Sequence, residues 1–375
     1  MPSRINVSSE TTLTVPKTQG IKYAGSKLKI LPSILDVLAP LGARTVLDGF
    51  SGSTRVSQAL AQCGFHVTAS DSAVWSEVFA TCFLLNTRPR EYYADIIRHL
   101  NSLEGYHGWF SEHYGGSADV RPDKSGEKRP FQLHNTRKLD AIRDEIDRMG
   151  LDDVEKAVAL TSLIFALDSV DNTLGHYAAY LSDWSARSYK TMTLRIPEVH
   201  LNTAEHRVVK GDIFDTIGRY EFDVAYFDPP YGSNNDKMPP SRVRYSSYYH
   251  IWTTVIKNDK PALFGKANRR EDTRDGVAAS VFEEFRKDSE GSFIAMQAIK
   301  RLIEETAARH IVLSYSSGGR ATKEELHSIL NASGTILKAI EIDYKKNVMG
   351  AMRWTNEWIT SDGAYSEYLF LLEKS

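Results

Sequence analysis

The sequence is poor in cysteine: only two occur in 375 residues, Cys63 and Cys82. Both fall in stretches with helical periodicity, which excludes a disulfide framework and a cysteine-ligated metal site and leaves reduced core thiols as the expectation. Net charge of one sign is missing too. Lys and Arg number 46 against 48 Asp and Glu, a formal −2, so the whole molecule exerts no pull on a polyanion. Any nucleic-acid surface must come from local clustering of basic side chains. No apolar run is long enough to span a bilayer and the first residues carry no apolar signal core, so cytoplasm is the expected compartment, with no membrane partner. The phosphate-cradling pattern G-x-G-x-x-G is absent, which argues against a pyrophosphate-containing dinucleotide. Residues 1–19, rich in Ser and Thr, are expected to be a disordered tail. The length allows two domains, or one with a large insertion.

What is present centres on Asp223-Val224-Ala225-Tyr226-Phe227-Asp228-Pro229-Pro230-Tyr231. The apolar, β-branched and aromatic run predicts a buried strand, halted by a carboxylate and two prolines that can neither continue a ladder nor open a helix. Asp228 to Tyr231 therefore belong at a strand's C-terminal edge, where open α/β sheets bind ligands. Asp228 can accept a hydrogen bond from an exocyclic amine. The prolines hold the turn and expose a carbonyl as second acceptor, and Tyr231 offers a stacking face. An aromatic amine is a poor nucleophile because its lone pair is shared with the ring. Two acceptors on its hydrogens favour a pyramidal nitrogen, poised to attack an activated methyl group. Taken alone, the tetrapeptide also fits a plain solvent-facing turn.

Upstream, Lys22-Tyr23-Ala24-Gly25-Ser26-Lys27 puts a glycine turn and a lysine at the opening of an amphipathic helix running to Leu38. That arrangement suits an anion site, or an ordinary surface lysine. Next, Thr45-Val46-Leu47-Asp48 reads as a strand, Gly49 to Thr54 as a glycine-containing turn, Arg55 to Cys63 as a helix, and Phe65 to Ser70 as a second strand ending on Asp71. Asp71 lies about 20 residues beyond Gly52, the spacing at which such an acid reaches a ribose hydroxyl. A nucleoside ligand without phosphate, such as S-adenosylmethionine, fits; a simple cap of the next helix fits equally. A third strand, Arg207 to Gly211, ends at Asp212, an acceptor for an adenine amine or another helix cap.

Between residues 75 and 206 helical periodicity dominates, over 75–85, 92–103, 135–149 and 154–167. Two irregular stretches interrupt it: 115–130, with Arg121, Lys124, Lys128 and Arg129, and 171–190, with His176, Tyr177, Tyr180, Trp184, Arg187, Tyr189 and Lys190. Aromatic and basic residues off regular elements suit the reading of bases and phosphates. Residues 232–249 lack periodicity and carry Lys237, Arg242 and Arg244, as expected of a phosphate clamp or lid; Lys266, Arg269, Arg270 and Arg274 extend that charge. Residues 282–310 are expected to be largely helical. A strand over 310–315, a helix over 322–330 and strands over 336–344 and 366–372 complete an α/β domain formed by 20–74 and 207–375, with 75–206 as a helical insertion.

Taken in order, Lys22 to Lys27, Asp48 to Gly52, the insertion and Asp228 to Tyr231 resemble the DNA adenine-N6 methyltransferases of the α group, the Dam, FokI and MboII types. The resemblance covers most of the chain from Ile21 onward. It implies a Rossmann-like, S-adenosylmethionine-dependent fold, a target-recognition insertion, and a flipped adenine in double-stranded DNA as substrate. Tyr23, Lys27, Asp71 and Asp228 would contact the cofactor or its surroundings, with Asp48, Phe50, Gly52 and Asp212 completing its site. Asp228, Pro229, Pro230 and Tyr231 would hold the target base. DNA contacts are expected from Lys237, Arg242, Arg244, His176, Arg187 and Lys190. No metal is implied, and a cognate restriction endonuclease is a candidate partner. Asp in the first position favours adenine over cytosine N4. One departure stands out: Gly52-Ser53-Thr54 replaces the usual Gly-x-Gly, and the Thr54 Cβ raises the question of close cofactor approach. An RNA base methyltransferase and a non-catalytic DNA-binding relative are the rival readings.

Overall fold

The computed structural model describes residues 13–120, 129–231, 244–274, 280–284, 286–344 and 365–375. Its centre is a seven-stranded sheet of β1 (Thr45–Asp48), β2 (His66–Asp71), β3 (Arg207–Lys210), β4 (Phe222–Phe227), β5 (Ala308–Ser316), β6 (Gly334–Tyr344) and β7 (Tyr365–Lys374). The spatial order is β6-β7-β5-β4-β1-β2-β3. All neighbours from β3 to β5 pair in parallel, and β7 alone runs against them, between β5 and β6. This is the sheet of an S-adenosylmethionine-dependent methyltransferase fold, as expected from the sequence.

Strand alternation divides the core in two. Val46, Val224, Tyr226, Val312, Leu369 and Leu371 face a cluster filled by α1 (Leu31–Leu38) and α2 (Arg55–Gln62). Leu47, Ala225, Phe227, Ile311, Leu313, Phe370 and Leu372 face the other side, with α8 (Ile213–Ile217), α11 (Ile294–Glu305) and α12 (Lys323–Ser333). A third cluster belongs to the helices between β2 and β3: α3 (Val74–Leu84), α4 (Ala94–Ser102), α5 (Trp109–Tyr114), α6 (Leu133–Arg148) and α7 (Asp153–Val170). It also takes in Ile21 and Ala24, and Tyr248 to Val255 of α9 (Tyr245–Tyr248) and α10 (His250–Lys257).

Local chemistry sets several boundaries. Asp152 and Glu155 form a capping box that opens α7, and Thr322 and Glu325 do the same for α12. Gly64 (φ 91°) terminates the α2 turn.

Three expectations need correction. Residues 282–310 are not mainly helical: α11 begins only at Ile294, because Asp288 accepts from the N–H groups of Glu290 and Ser292 and Gly291 turns the chain at φ 86°. Within 232–249, Tyr245–Tyr248 is helical and leads straight into α10, an aromatic helix the sequence reading missed; residues 232–243 lie outside the described residues. In the expected tail, 13–19 runs along α2, where Arg55 donates to the Thr18 carbonyl and Gln58 to the Gln19 carbonyl; residues 1–12 lie outside the described residues.

Candidate active site

The strand order reverses between β1 and β4, so the loops leaving these two strands splay apart and open a crevice at the sheet's C-terminal edge. The Gly49 N–H still reaches the Tyr226 carbonyl (2.9 Å), fixing the two loop origins side by side. Beyond them lies a cleft of about 680 Å³, walled by Tyr23, Phe50, Gly52, Asp71, Trp75, Asp212, Asp228, Pro230, Tyr245 and Glu283, among others. That volume suits a small-molecule ligand.

On one side the glycine turn approaches Tyr23. Gly52 sits at φ 48°, and a Cβ there would come within 3.1 Å of the Tyr23 ring, so both backbone and space require glycine. Asp71 accepts from the N–H groups of Gly52 (2.8 Å) and Ala73 (2.8 Å). It thus braces the turn from across β1 and β2 while lining the cleft, and burial raises its pKa. Asp212 accepts from the Phe214 N–H (2.9 Å) as N-cap of α8, and it also lines the cleft. Phe50 packs edge-on against Phe227 and Phe282. Asp48 is buried beneath the turn, bonded by the Ser57 hydroxyl, and burial pushes it up to about 7. Thr54 adopts the left-handed region (φ 62°), unusual for a β-branched residue. Its hydroxyl bonds the Ser53 carbonyl and Gln58, and Thr54 is absent from the lining of the cleft. The residue that departs from the usual glycine pattern is thus buried outside the cleft wall.

On the other side, Lys27 is buried at the foot of α1 and holds three groups at once. Its Nζ lies 2.7 Å from the Tyr231 hydroxyl, 2.9 Å from Asp228 Oδ1 and 2.7 Å from Glu367 Oε1. Burial works against its ammonium, but Asp228 and Glu367 outweigh burial and raise its pKa. The contact to Asp228 is off the line of a hydrogen bond, so Oδ1 is buried with no hydrogen-bond partner among the described residues. Burial, assisted by the Glu367 charge, raises the Asp228 pKa. Tyr231 packs edge-on against Tyr315 (5.1 Å), with the Lys27 ammonium 5.2 Å from its ring centroid.

The turn at 22–25 is clasped from outside the sheet. Tyr23 stacks on Tyr249 (4.8 Å), which in turn stacks on Trp252 (4.2 Å). The Ala24 N–H donates to the Tyr249 hydroxyl (2.7 Å), and Lys22 pairs with Asp171 (2.8 Å) beyond α7.

Six DNA-contacting residues were expected, and their placements differ. Lys190 is exposed. Arg187 is half-buried, paired to Asp171 (2.7 Å) and donating to backbone carbonyls of the same loop, so it braces that loop. His176 is buried and stacked on Tyr248 (4.2 Å), and Arg244 is buried at the start of α9. His176 thus sits in the aromatic cluster that α9 and α10 bring against the helices between β2 and β3, packing no single-segment pattern reveals. Lys237 and Arg242 lie outside the described residues. Sequence reasoning missed Glu367, Tyr245, Tyr249 and Glu283. Glu283, 4% exposed, enters the cleft wall from a short turn closed by its own capping box with Ser280. Burial pushes it up to about 7. The capping-box spacing Ser-x-x-Glu was the available signal.

The sequence model of the D12 class N6 adenine-specific DNA methyltransferases matches residues 23–311, and the chain belongs to that family. It is 26% identical over 344 residues to modification methylase StsI of Streptococcus sanguinis, covering 87% of this chain and 48% of that protein. It is 25% identical over 365 residues to the type II methyltransferase M.FokI of Planomicrobium okeanokoites, covering 94% of this chain and 53% of that protein. The chain thus spans about half the length of these two relatives. Against M.NlaIII of Neisseria lactamica, identity is 23% over 365 residues, with 95% of this chain and 100% of that protein covered.

Proposed function

We propose that this chain transfers a methyl group from S-adenosylmethionine to the N6 amine of an adenine flipped out of double-stranded DNA. The observation that carries the reading is Asp228 at the end of β4: it lines the cleft, and its buried Oδ1, charge-balanced by Lys27 at 2.9 Å, has no well-aligned hydrogen bond among the described residues. An amine hydrogen is the donor that fits such an acceptor. S-adenosylmethionine, when bound, supplies the activated methyl group. The cleft suits it: Asp71 can accept from ribose hydroxyls, Gly52 allows close approach, and Tyr23, Phe50 and Asp212 wall the remainder, with Asp48 and Lys27 lining the small space adjoining it.

The residues then divide the work. Asp228 accepts one amine hydrogen, and a carbonyl of the Pro229-Pro230 turn accepts the other. The amine nitrogen, its lone pair localised, would take the methyl group as the methyl–sulfur bond breaks and S-adenosylhomocysteine leaves, one amine proton then passing to solvent. Orientation and electrostatics supply most of the rate, without a strong base. Pro229 and Pro230 hold the acceptors rigid, and Tyr231, fixed through its hydroxyl by Lys27, supports the base. The insertion, with Lys190 on its surface, and the basic segment carrying Lys237 and Arg242 are the proposed DNA contacts. The relatives named above are modification methylases, which supports the same role for this chain in the cytoplasm, with a cognate restriction endonuclease as partner. The rival reading as a non-catalytic relative drew on Thr54, which is buried and does not line the cleft.

The test is methyl transfer from labelled S-adenosylmethionine to duplex DNA and, in parallel, to RNA, followed by digestion to nucleosides. Label in N6-methyldeoxyadenosine supports the reading. Label in a methylated RNA base or in N4-methyldeoxycytidine would overturn it.

A further inference from the structure

The lysine at the centre of the site is shared, and its second carboxylate comes from the far end of the sequence. β7 is the one strand that runs against its neighbours, so its beginning, not its end, reaches the ligand edge of the sheet. Glu367 is the third residue of that strand and lies in register with Ser316 at the end of β5. It is 5% exposed. Its Oε1 accepts from Lys27 Nζ (2.7 Å) and from the Ser314 hydroxyl (2.7 Å). Lys27 in turn donates to the Tyr231 hydroxyl and faces Asp228.

Two consequences follow from this geometry. The first is positional. An ammonium on a four-carbon stem has no preferred direction of its own, and Glu367, held by Ser314 on a central strand, fixes where it points. With Glu367 in place, Lys27 donates to Tyr231 and pairs with Asp228 Oδ1 at 2.9 Å, so one anchored ammonium sets the places of both groups. The second consequence is electrostatic. Two carboxylates around one ammonium leave a net negative charge in a buried site, on the side where an attacked amine becomes positive before it loses its proton. A lysine paired to Asp228 alone would leave none.

Resting on the methyl-transfer reading above, we propose that Glu367 is a positioning residue for that reaction: it anchors the Lys27 ammonium between Tyr231 and Asp228 and so fixes the carboxylate that receives the target amine. Glu367 does not itself line the cleft, and it acts through Lys27.

The experiment compares wild-type protein with Glu367→Gln and Ser314→Ala, measuring kcat, KM for duplex DNA, cofactor affinity and melting temperature. Glu367→Gln keeps the shape and removes the charge. It should lower kcat by about tenfold to a hundredfold, as small misplacements of reacting groups do, with KM and cofactor affinity within about twofold of wild type. Ser314→Ala loosens the anchor and keeps the carboxylate, so it should lower kcat by a smaller factor in the same direction. Unchanged kcat in a folded Glu367→Gln protein would overturn the proposal. So would a loss of kcat that merely tracks the fraction of protein folded. If Glu367→Gln does not fold, Ser314→Ala decides: a kcat equal to wild type overturns the proposal. An inactive wild-type protein would instead count against the methyl-transfer reading itself.

Discussion

Asp71 accepts two backbone N–H groups, one of them from Gly52 in the glycine turn, so its loss removes that brace together with the proposed ribose acceptor. Asp71→Ala should weaken S-adenosylmethionine binding by about 1.5–3 kcal/mol, roughly ten- to a hundred-fold, with DNA affinity nearly unchanged. Calorimetric titration measures both, and an unchanged cofactor dissociation constant would reduce Asp71 to a loop support. Tyr231 invites a finer comparison, because its hydroxyl takes a hydrogen bond from Lys27 while its ring packs on Tyr315. Tyr231→Phe keeps the ring and should retain more turnover than Tyr231→Ala; equal losses would assign the role to the hydroxyl. A buried histidine gives a pH test. Burial pushes His176 down from 6.5 to about 4. The unfolded chain therefore binds an extra proton in that window, and the stabilisation present above pH 6.5 is lost as pH falls toward 4. His176→Phe keeps a ring against Tyr248 and should show a shallower fall in melting temperature between pH 7 and pH 5 than wild type. Identical falls would mean that His176 does not titrate there.

Among the elements, the strands were the most legible. Val46, Val224 and Val312 alternate with Leu47, Ala225 and Ile311 across the two faces of the sheet, and that period of two is visible in any short window. Asp48, Asp71 and Asp228 were legible for the same reason, since each stops a strand at the edge where ligands bind. Glu367 was not, because its place depends on β7 running antiparallel, and direction is not written in a run such as Tyr365 to Leu372. Helices α9 and α10 were missed because 232–249 reads as one aperiodic segment; what holds them is distant in sequence, Tyr249 stacking on Tyr23 and Trp252 packing against Trp75 and Tyr177. Arg143 supports α10 from α6: it is buried, donates to the Val255 and Ile256 carbonyls at the C-terminal end of α10, and pairs with Asp147 (2.9 Å). Arg143→Ala strands those carbonyls and should cost roughly 3 kcal/mol of stability. Denaturant unfolding checks this, and a loss under about 0.5 kcal/mol, the range of ordinary surface substitutions, would show that α10 holds without the arginine.

For the molecule as a whole, a formal charge of −2 leaves DNA affinity to a few placed cations, and selectivity to contacts with base edges. Lys190, exposed after the helices between β2 and β3, is proposed as a cation of the first kind. Lys190→Ala should weaken binding to all duplexes alike and reduce the salt slope by about one unit; a changed recognition sequence would make it a base-reading residue instead. Lys22, paired with Asp168 and Asp171, ties the Tyr23 turn to the end of α7, so one segment joins the proposed methyl-donor site to the helices proposed to face DNA. The central claim is that Asp228 receives an adenine amine, and single-molecule sequencing of DNA from cells expressing the protein tests it most directly. Wild-type protein should leave N6-methyladenine in one sequence context, and the Asp228→Ala protein, expressed and folded to the same level, should leave none. Absence of the mark with wild type, or its persistence with Asp228→Ala, would contradict the account.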